Sequence, residues 1–208
     1  MAERLFAHAH TSEVVPPRLS ATHTSEETQS FFLMLGLKRH TVRLLEHQTT
    51  WQEIFHQTRE QLLHALGDHV MDIQHIGSTA IPGIPAKPIL DMAMAIAQKD
   101  ALKEILPTLE ALGYEYRGDA REDGGHLCVL NIEAEVRSQH LHIVLHSDPQ
   151  WKNYLHFRDT LLAHPELKEE YMHLKQSLAS RFPHDRKAYT SGKHEFIQAV
   201  LTTKSNRM

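Results

Sequence analysis

His75-Ile76-Gly77-Ser78-Thr79-Ala80-Ile81-Pro82-Gly83-Ile84-Pro85-Ala86-Lys87-Pro88-Ile89-Leu90-Asp91 is the stretch that decides the fold. On its amino-terminal side 71–76 is short and alternating, and on its carboxyl side 89–96 is apolar but for one residue. Gly, Pro and Ser crowd the middle, so the segment reads as strand, loop, strand. The two-residue period of a strand puts Leu90, Met92, Met94 and Ile96 on one face and Ile89, Asp91, Ala93 and Ala95 on the other. Asp91 therefore interrupts a core strand, where a carboxylate is costly unless it is paired, hydrogen-bonded or bound to a metal. Gly77 and Ser78 follow directly on the first strand. They offer backbone N–H groups and a hydroxyl, the equipment for holding a phosphate oxygen, and Lys87 adds a cation to the same loop. A Gly-Ser turn alone is usually only a turn. The carboxylate on the next strand, with the room left by Ala93 and Ala95, turns it into a candidate site.

Working outward, 41–45 reads as a first short strand, and Thr50 with Glu53 has the capping-box spacing that opens a helix. Trp51, Ile54, Phe55, Leu62, Leu63 and Leu66 share one face of that helix, and Gly67 stands where a helix commonly stops. The segment 100–112 is helical in pattern although Pro107 should kink it or start a turn. Strands are expected at 114–116, 126–132 and 139–145, the last two as antiparallel neighbours if 133–137 turns. From 148 onward the pattern is helical, at 149–163, 165–181 and 186–203, with Pro149, Pro165 and Pro183 near the starts. Residues 1–34 read as a flexible leader in which 25–35 could form a short helix, and 35–203 as one domain with its sheet at about 35–147 and a helical cap at about 148–203.

A Gly-Ser loop followed, after 12 intervening residues, by a strand carboxylate resembles the active-site signature of the polymerase-β-like nucleotidyltransferase superfamily. The longer run from Ile76 to Asp91 is similar to the hallmark of the GrpB family, a domain also found fused to some bacterial dephospho-CoA kinases. Later blocks agree: His140-Leu141-His142-Ile143-Val144, Phe157-Arg158-Asp159, Ala163-His164-Pro165-Glu166-Leu167, and Arg181 to Thr190 with Lys193. The resemblance covers roughly 35–201. It implies an α+β fold with a nucleotidyltransferase-type mixed β-sheet, flanking helices and a C-terminal helical cap. It further implies that Gly77 and Ser78 hold the triphosphate of an NTP and that Asp91 holds a divalent metal, Mg or Mn. The superfamily's usual second acid would stand at position 93, where this chain has Ala93, so the two-metal arrangement lacks a ligand.

His140 and His142 lie two apart, hence on one strand face, and with Asp91 they make a two-histidine, one-carboxylate set that suits Zn, Mn, Fe or Ni. The alternative is that they line a polar pocket or bind phosphate when protonated, and His75 and His146 are weaker candidates. Arg158, Lys175, Arg186 and Lys193 are the cap's candidate phosphate clamps, and Tyr189, four residues before Lys193, should share its helical face. Solvated surface charge is the plainer reading of each.

Composition narrows the classes. The chain has 208 residues, 41% of them hydrophobic and 23% charged, which suits one sizeable core. Acidic residues outnumber basic ones 26 to 22, against general nucleic-acid binding. The single Cys128 allows no intrachain disulfide and no apolar run approaches a membrane span, so the cytoplasm is the expected location. Most of the 18 histidines are scattered, but they make the net charge rise steeply below pH 7. No GxxxxGK[ST] loop, HExxH pair or locally supported Ser-His-Asp order is present. The function expected is nucleotidyl transfer from an NTP to a small-molecule acceptor, with a catalytically silent nucleotide- or phosphometabolite-binding module as the alternative. Asp91 and Ser78 would be catalytic, and Gly77, Ser78, Lys87, Arg158, Tyr189 and Lys193 would hold the nucleotide. Asp91, His140 and His142 would be the metal ligands. The sequence implies no protein partner.

Overall fold

A computed structural model describes residues 35–119 and 125–202, so the leader at 1–34 and nearly all of the helix considered at 25–35 fall outside the described residues. The elements are β1 (Leu37–Lys38), α1 (Thr50–Leu66), β2 (Val70–Ile76), β3 (Leu90–Ile96), α2 (Ala101–Ala111), β4 (Tyr114–Asp119), β5 (His126–Glu133) and β6 (Val136–Leu145). Four helices follow: α3 (Pro149–Ala163), α4 (Pro165–Arg181), α5 (Arg186–Ser191) and α6 (His194–Thr202). The sheet runs β2-β3-β6-β5-β4, with β1 also against β6. Among the described residues only β3 and β6 pair in parallel and every other pairing is antiparallel, so the mixed α+β sheet is as expected.

The alternation in β3 divides the molecule into two layers. Leu90, Met92 and Met94, joined by Leu141 and Ile143 of β6, bury one face of the sheet against Trp51, Phe55 and Leu62 of α1 and Ile105 and Leu109 of α2. On the other face Ala93, Ala95 and Val144 lie beneath Trp151, Tyr154 and Leu155 of α3. The side chains on this second face are small next to Asp91, which leaves space above the carboxylate. The Gly/Pro-rich loop is itself packed, Ile81 and Ile84 entering a cluster with Leu161 of α3 and Tyr171 of α4.

Four local expectations are corrected. The segment 41–45 is not a strand. Its backbone is spent on other partners, Val42 N–H on the Pro183 carbonyl and Leu45 on an isolated bridge to Ala86, after a turn with His40 at φ 63°. The capping box does not form: Thr49, not Thr50, is the N-cap and gives no side-chain cap, and the start of α1 is closed by Trp51 N–H to Gln48 O and Gln52 N–H to Thr49 O. Helix α2 continues through Pro107. The ring and Lys103, whose carbonyl the missing N–H would have met, are both exposed, so water can take that carbonyl. The helix expected at 186–203 breaks into α5 and α6 at Gly192, where any side chain would overlap Leu178 of α4.

Met92 is fully buried between the sheet and α1. Met92→Ala should lower stability by about 2–5 kcal/mol, read as a drop in the urea midpoint without a change in slope.

Candidate functional site

The parallel register of β3 and β6 sets Asp91 beside His140 and Ala93 beside His142. His142 thus stands beside Ala93, the position at which the resemblance to the superfamily leads one to expect a second acid. Asp91 Oδ1 lies 2.6 Å from His140 Nδ1, and Arg186 Nη2 of α5 lies 3.1 Å from His140 Nε2. A guanidinium only donates, so Nε2 is the acceptor and Nδ1 carries the proton that it donates to Asp91. The hydrogen bonds therefore settle the tautomer. His142 Nδ1 is 3.3 Å from the Tyr154 hydroxyl of α3, and the two imidazoles meet edge to face at 6.2 Å. One ligand atom from each of Asp91, His140 and His142 falls within 4.8 Å of the others.

The Asp91 side chain is 29% exposed, buried enough to be costly and open enough to be reached. Burial pushes its pKa upward, but the His140 hydrogen bond and electrostatic attraction to its neighbours, Lys87 among them, outweigh that and hold it well below the usual carboxylate range. Burial lowers the pKa of His140, helped by Arg186 and Lys87 and opposed by Asp91, in keeping with a neutral ring.

The Gly-Ser loop approaches from β2. Gly77 has φ 68° and ψ −168°, a region open essentially to glycine alone, and a Cβ there would lie 2.7 Å from Asp91 Oδ2. Glycine is required twice over, by its own backbone and by the carboxylate. Ser78 opens a 3-10 turn, Ser78–Ala80, whose Thr79 hydroxyl lies 2.9 Å from His75 Nε2. His75 Nδ1 is 2.9 Å from Gln52 Oε1, and the ring stacks on Phe55 at 4.8 Å. His75 pairs with Met92 and so occupies the α1 face of the sheet, opposite Asp91. It is therefore no ligand of this cluster but ties the turn to α1. Burial above all pushes its pKa down to about 3. His146, exposed at the end of β6, lies outside the three-residue group.

Cations close the site from the other side. Lys87 and Lys193 place their Nζ atoms 5.2 and 5.0 Å from the centre of the Tyr189 ring, which is buried. Lys193 lies in the break between α5 and α6, so it meets Tyr189 without sharing a helix with it. Lys175, 1% exposed, donates to the Pro85 carbonyl and sits 5.0 Å above the Tyr171 ring, holding α4 to the loop that carries Lys87. Burial, reinforced by Lys193, Arg186 and Lys175 and opposed by Asp91, pushes the Lys87 pKa down to about 7; burial and Lys193 bring Lys175 to about 7 as well.

Arg158 is placed differently. Its Nη1 donates to Gln74 Oε1 and to the His75 carbonyl, each at 2.9 Å, and its Nε to Asp159. It fastens α3 to the edge strand β2 and lines a separate groove of about 380 Å³ with Arg59, Phe55 and Leu162. The expected phosphate clamp is thus engaged with the sheet edge, because β2 has unpaired carbonyls that a guanidinium can satisfy. Tyr154 was not foreseen. Trp151, Tyr154, Leu155 and Arg158 form one helical stripe at i, i+3, i+4 and i+7, and that spacing is the signal that would have turned Tyr154 toward the sheet. Arg186 was foreseen only as one of several cap cations.

A family model described as GrpB protein matches residues 41–203. The chain is 34% identical over 171 residues to the glutamate-rich protein GrpB of Alkalihalophilus pseudofirmus, covering 81% of this chain and 98% of that protein. It is 26% identical over 184 residues to the dephospho-CoA kinase of Mycobacterium tuberculosis, covering 77% of this chain and 45% of the kinase. Among solved structures, the conserved protein GrpB from Enterococcus faecalis superposes with a TM-score of 0.70 at 28% identity, covering 77% of this chain and 96% of that one. Among the described residues no helix is long and apolar enough to cross a membrane.

His75 is neutral in the fold down to about pH 3 but titrates near 6.5 when unfolded, so the unfolded chain binds the extra proton between those values. Its contribution is complete above pH 6.5 and is lost as the pH falls toward 3. Urea unfolding at pH 5 should show about 2 kcal/mol less stability than at pH 7.5 from this group, and His75→Asn should flatten that dependence. Gly77→Ala should cost about 1–3 kcal/mol through the backbone alone and should displace the Asp91 carboxylate, visible as a shift of the His140 ring resonances.

Proposed function

Because this chain belongs to the GrpB family, we propose that it binds a nucleoside triphosphate and transfers the nucleotidyl group to a small acceptor. The observation that carries the reading is the charge arrangement at Asp91. In a chain with a net charge of −4, one reachable carboxylate, pressed against Gly77, feels the charge of Lys87, and Lys193 and Arg186 stand near that lysine. Such a ring of cations beside a glycine loop is suited to the oxygens of a polyphosphate. The similarity to part of a dephospho-CoA kinase supports a nucleotide-related ligand. Ser78 on the loop would hold a phosphate oxygen, and Tyr189 would keep the two lysine ammonium groups aimed at it. With one cysteine, buried in the sheet, the chain suits the reducing cytoplasm.

Asp91, His140 and His142 are the residues that would hold a divalent ion, Mg or Mn through the carboxylate and Zn through the imidazoles. The fit carries a condition: His140 has both nitrogens in hydrogen bonds, so it joins the ligand set only if Arg186 releases Nε2, whereas Asp91 and His142 can act with that chain intact. When bound, the ion would supply charge neutralisation at the phosphoryl oxygens. Arg186 and Lys193 bind and orient the phosphates, and the packing of α3 over Ala93 and Ala95 keeps the sheet face beneath them dry.

A catalytically silent binding module is the second reading, and the lone carboxylate favours it, since Ala93 leaves one of the usual metal-binding acids missing. Calorimetry with each NTP and Mg, Mn or Zn, joined to pyrophosphate release in the presence of a metabolite extract, separates the two. Binding is expected to weaken by at least about tenfold in Asp91→Asn and in Lys193→Ala, the loss of one charge-assisted contact. Ala93→Asp should not create a fast generic transferase. Tight binding without pyrophosphate under any of the metals would favour the silent module, and absence of nucleotide binding would sink both readings.

A further inference from the structure

The hydrogen bonds at His140 point to chemistry that a carboxylate-only site does not have. Asp91 Oδ1, 2.6 Å from Nδ1, holds the ring in the tautomer whose lone pair is on Nε2. That lone pair faces Arg186 at 3.1 Å, a group that carries a positive charge and has the bidentate geometry for a phosphate. Both Asp91 and His140 are mounted on adjacent, register-matched strands in the middle of the sheet, so the pair is rigid. The carboxylate-oriented imidazole is the arrangement that prepares a nitrogen to act at a reacting centre. His142, paired in register with Ala93, has the Tyr154 hydroxyl 3.3 Å from its Nδ1.

We propose that His140 Nε2 is a nucleophile that takes the nucleotidyl group from an NTP, forming a nucleotidyl-histidine before the group passes to the acceptor. The inference rests on the nucleotide-binding reading above. In the first half-reaction the Nε2 lone pair forms an N–P bond to the α-phosphorus, the bond from that phosphorus to its bridging oxygen breaks, and the electron pair leaves with pyrophosphate. No proton is exchanged in this half. The imidazole becomes cationic, its Nδ1–H stays on the Asp91 carboxylate, and the new positive charge is neutralised there. Arg186 turns from Nε2 to the phosphoryl oxygens, and Lys87 and Lys193 face the departing pyrophosphate. In the second half an acceptor hydroxyl attacks the phosphorus, the N–P electron pair returns to Nε2, and the hydroxyl proton goes to solvent. A covalent route of this kind divides one displacement into two and removes the need for a second carboxylate at position 93 to activate the acceptor.

The first half-reaction needs no acceptor, so it can be tested with NTPs alone. The full-length protein is incubated with each α-labelled NTP and divalent metal, and label retained after denaturation is compared in alkali and in acid. Bound nucleotide is measured in parallel by equilibrium dialysis. The expected result is stoichiometric label that survives alkali and is lost in acid, as a phosphoramidate is, mapped by mass spectrometry to the peptide containing His140. His140→Ala and His140→Asn, the second of which keeps an N–H donor for Asp91, should both reduce the label to background while the protein still binds NTP. His146→Ala, one residue beyond β6 and outside the cluster, should keep it. NTP binding without acid-labile label, or label that persists in both His140 variants, overturns the covalent route and leaves the nucleotide reading standing. Absence of NTP binding in dialysis overturns that reading and this inference together.

Discussion

The parallel pairing of β3 with β6 is the constraint on which the rest of the molecule depends, because it brings Asp91 and His140 into hydrogen-bond contact. Among the described residues it is the only parallel pairing in the sheet. Parallel neighbours cannot be joined by a hairpin, so the chain must leave β3, cross over and return, and it uses the interval to build α2, β4 and β5. Once β6 lies beside β3, every residue pair along the two strands is assigned. The carboxylate that would be intolerable in an apolar strand acquires a donor 2.6 Å away, and its face is left shallow by Ala93 and Ala95. The opposite face is free to be fully apolar, which is where most of the burial that stabilises the fold is found.

Around that pair the structure assembles charge that would not otherwise be tolerated. Lys175 is buried with a carbonyl and an aromatic ring as partners, and Lys87 and Lys193 share one tyrosine ring. Burial above all, with repulsion from the neighbouring cations added to it, drives the pKa values of Lys87 and Lys175 down to about 7. An arrangement that is unfavourable alone becomes favourable when an anion of several charges enters. The loop that carries Lys87 is held from three directions: Leu45 pairs with Ala86, Lys175 with Pro85, and Lys168 with Pro82. The turn before it is tied to α1 through Thr79, His75 and Gln52. The loop is therefore a fixed part of the site despite its glycine and proline content.

Much of this was legible before any coordinates. Asp91 announced itself by breaking an apolar run, and the two-residue period sent it to the face of Ala93 and away from Met92, as found. The same period put His140 and His142 together. It also held the answer for His75: an odd number of positions from Ile76, whose partner is Asp91, puts it on the other face. Arg158 and Lys193 were less legible, since a cation on a helix can reach a phosphate, a backbone carbonyl or water equally well by composition. Only the position of the β2 edge turned Arg158 into a strand clamp. The capping-box pattern at Thr50 and the helix assigned across Gly192 failed for a shared reason. Local spacing describes what an isolated segment prefers, and packing against Leu178, or backbone bonds to Gln48 and Thr49, can outweigh that preference.

The sequence by itself determined the alternation of β3, the Gly-Ser turn after β2, the resemblance to the family, and the set of polar residues available for chemistry. These follow from covalent geometry and from the cost of burying polar groups, which act over a few residues and are written in their order. Which of those polar residues meet was decided only by the tertiary structure. Asp91 and His140 are 49 positions apart and His140 and Arg186 46 apart, and no local rule states that a crossover will return β6 to β3 or that α5 will end above it. The tautomer of His140, the pairing of two lysines over Tyr189 and the diversion of Arg158 to the sheet edge all arise from that closure, because hydrogen bonding and charge depend on distance in space and not on distance along the chain.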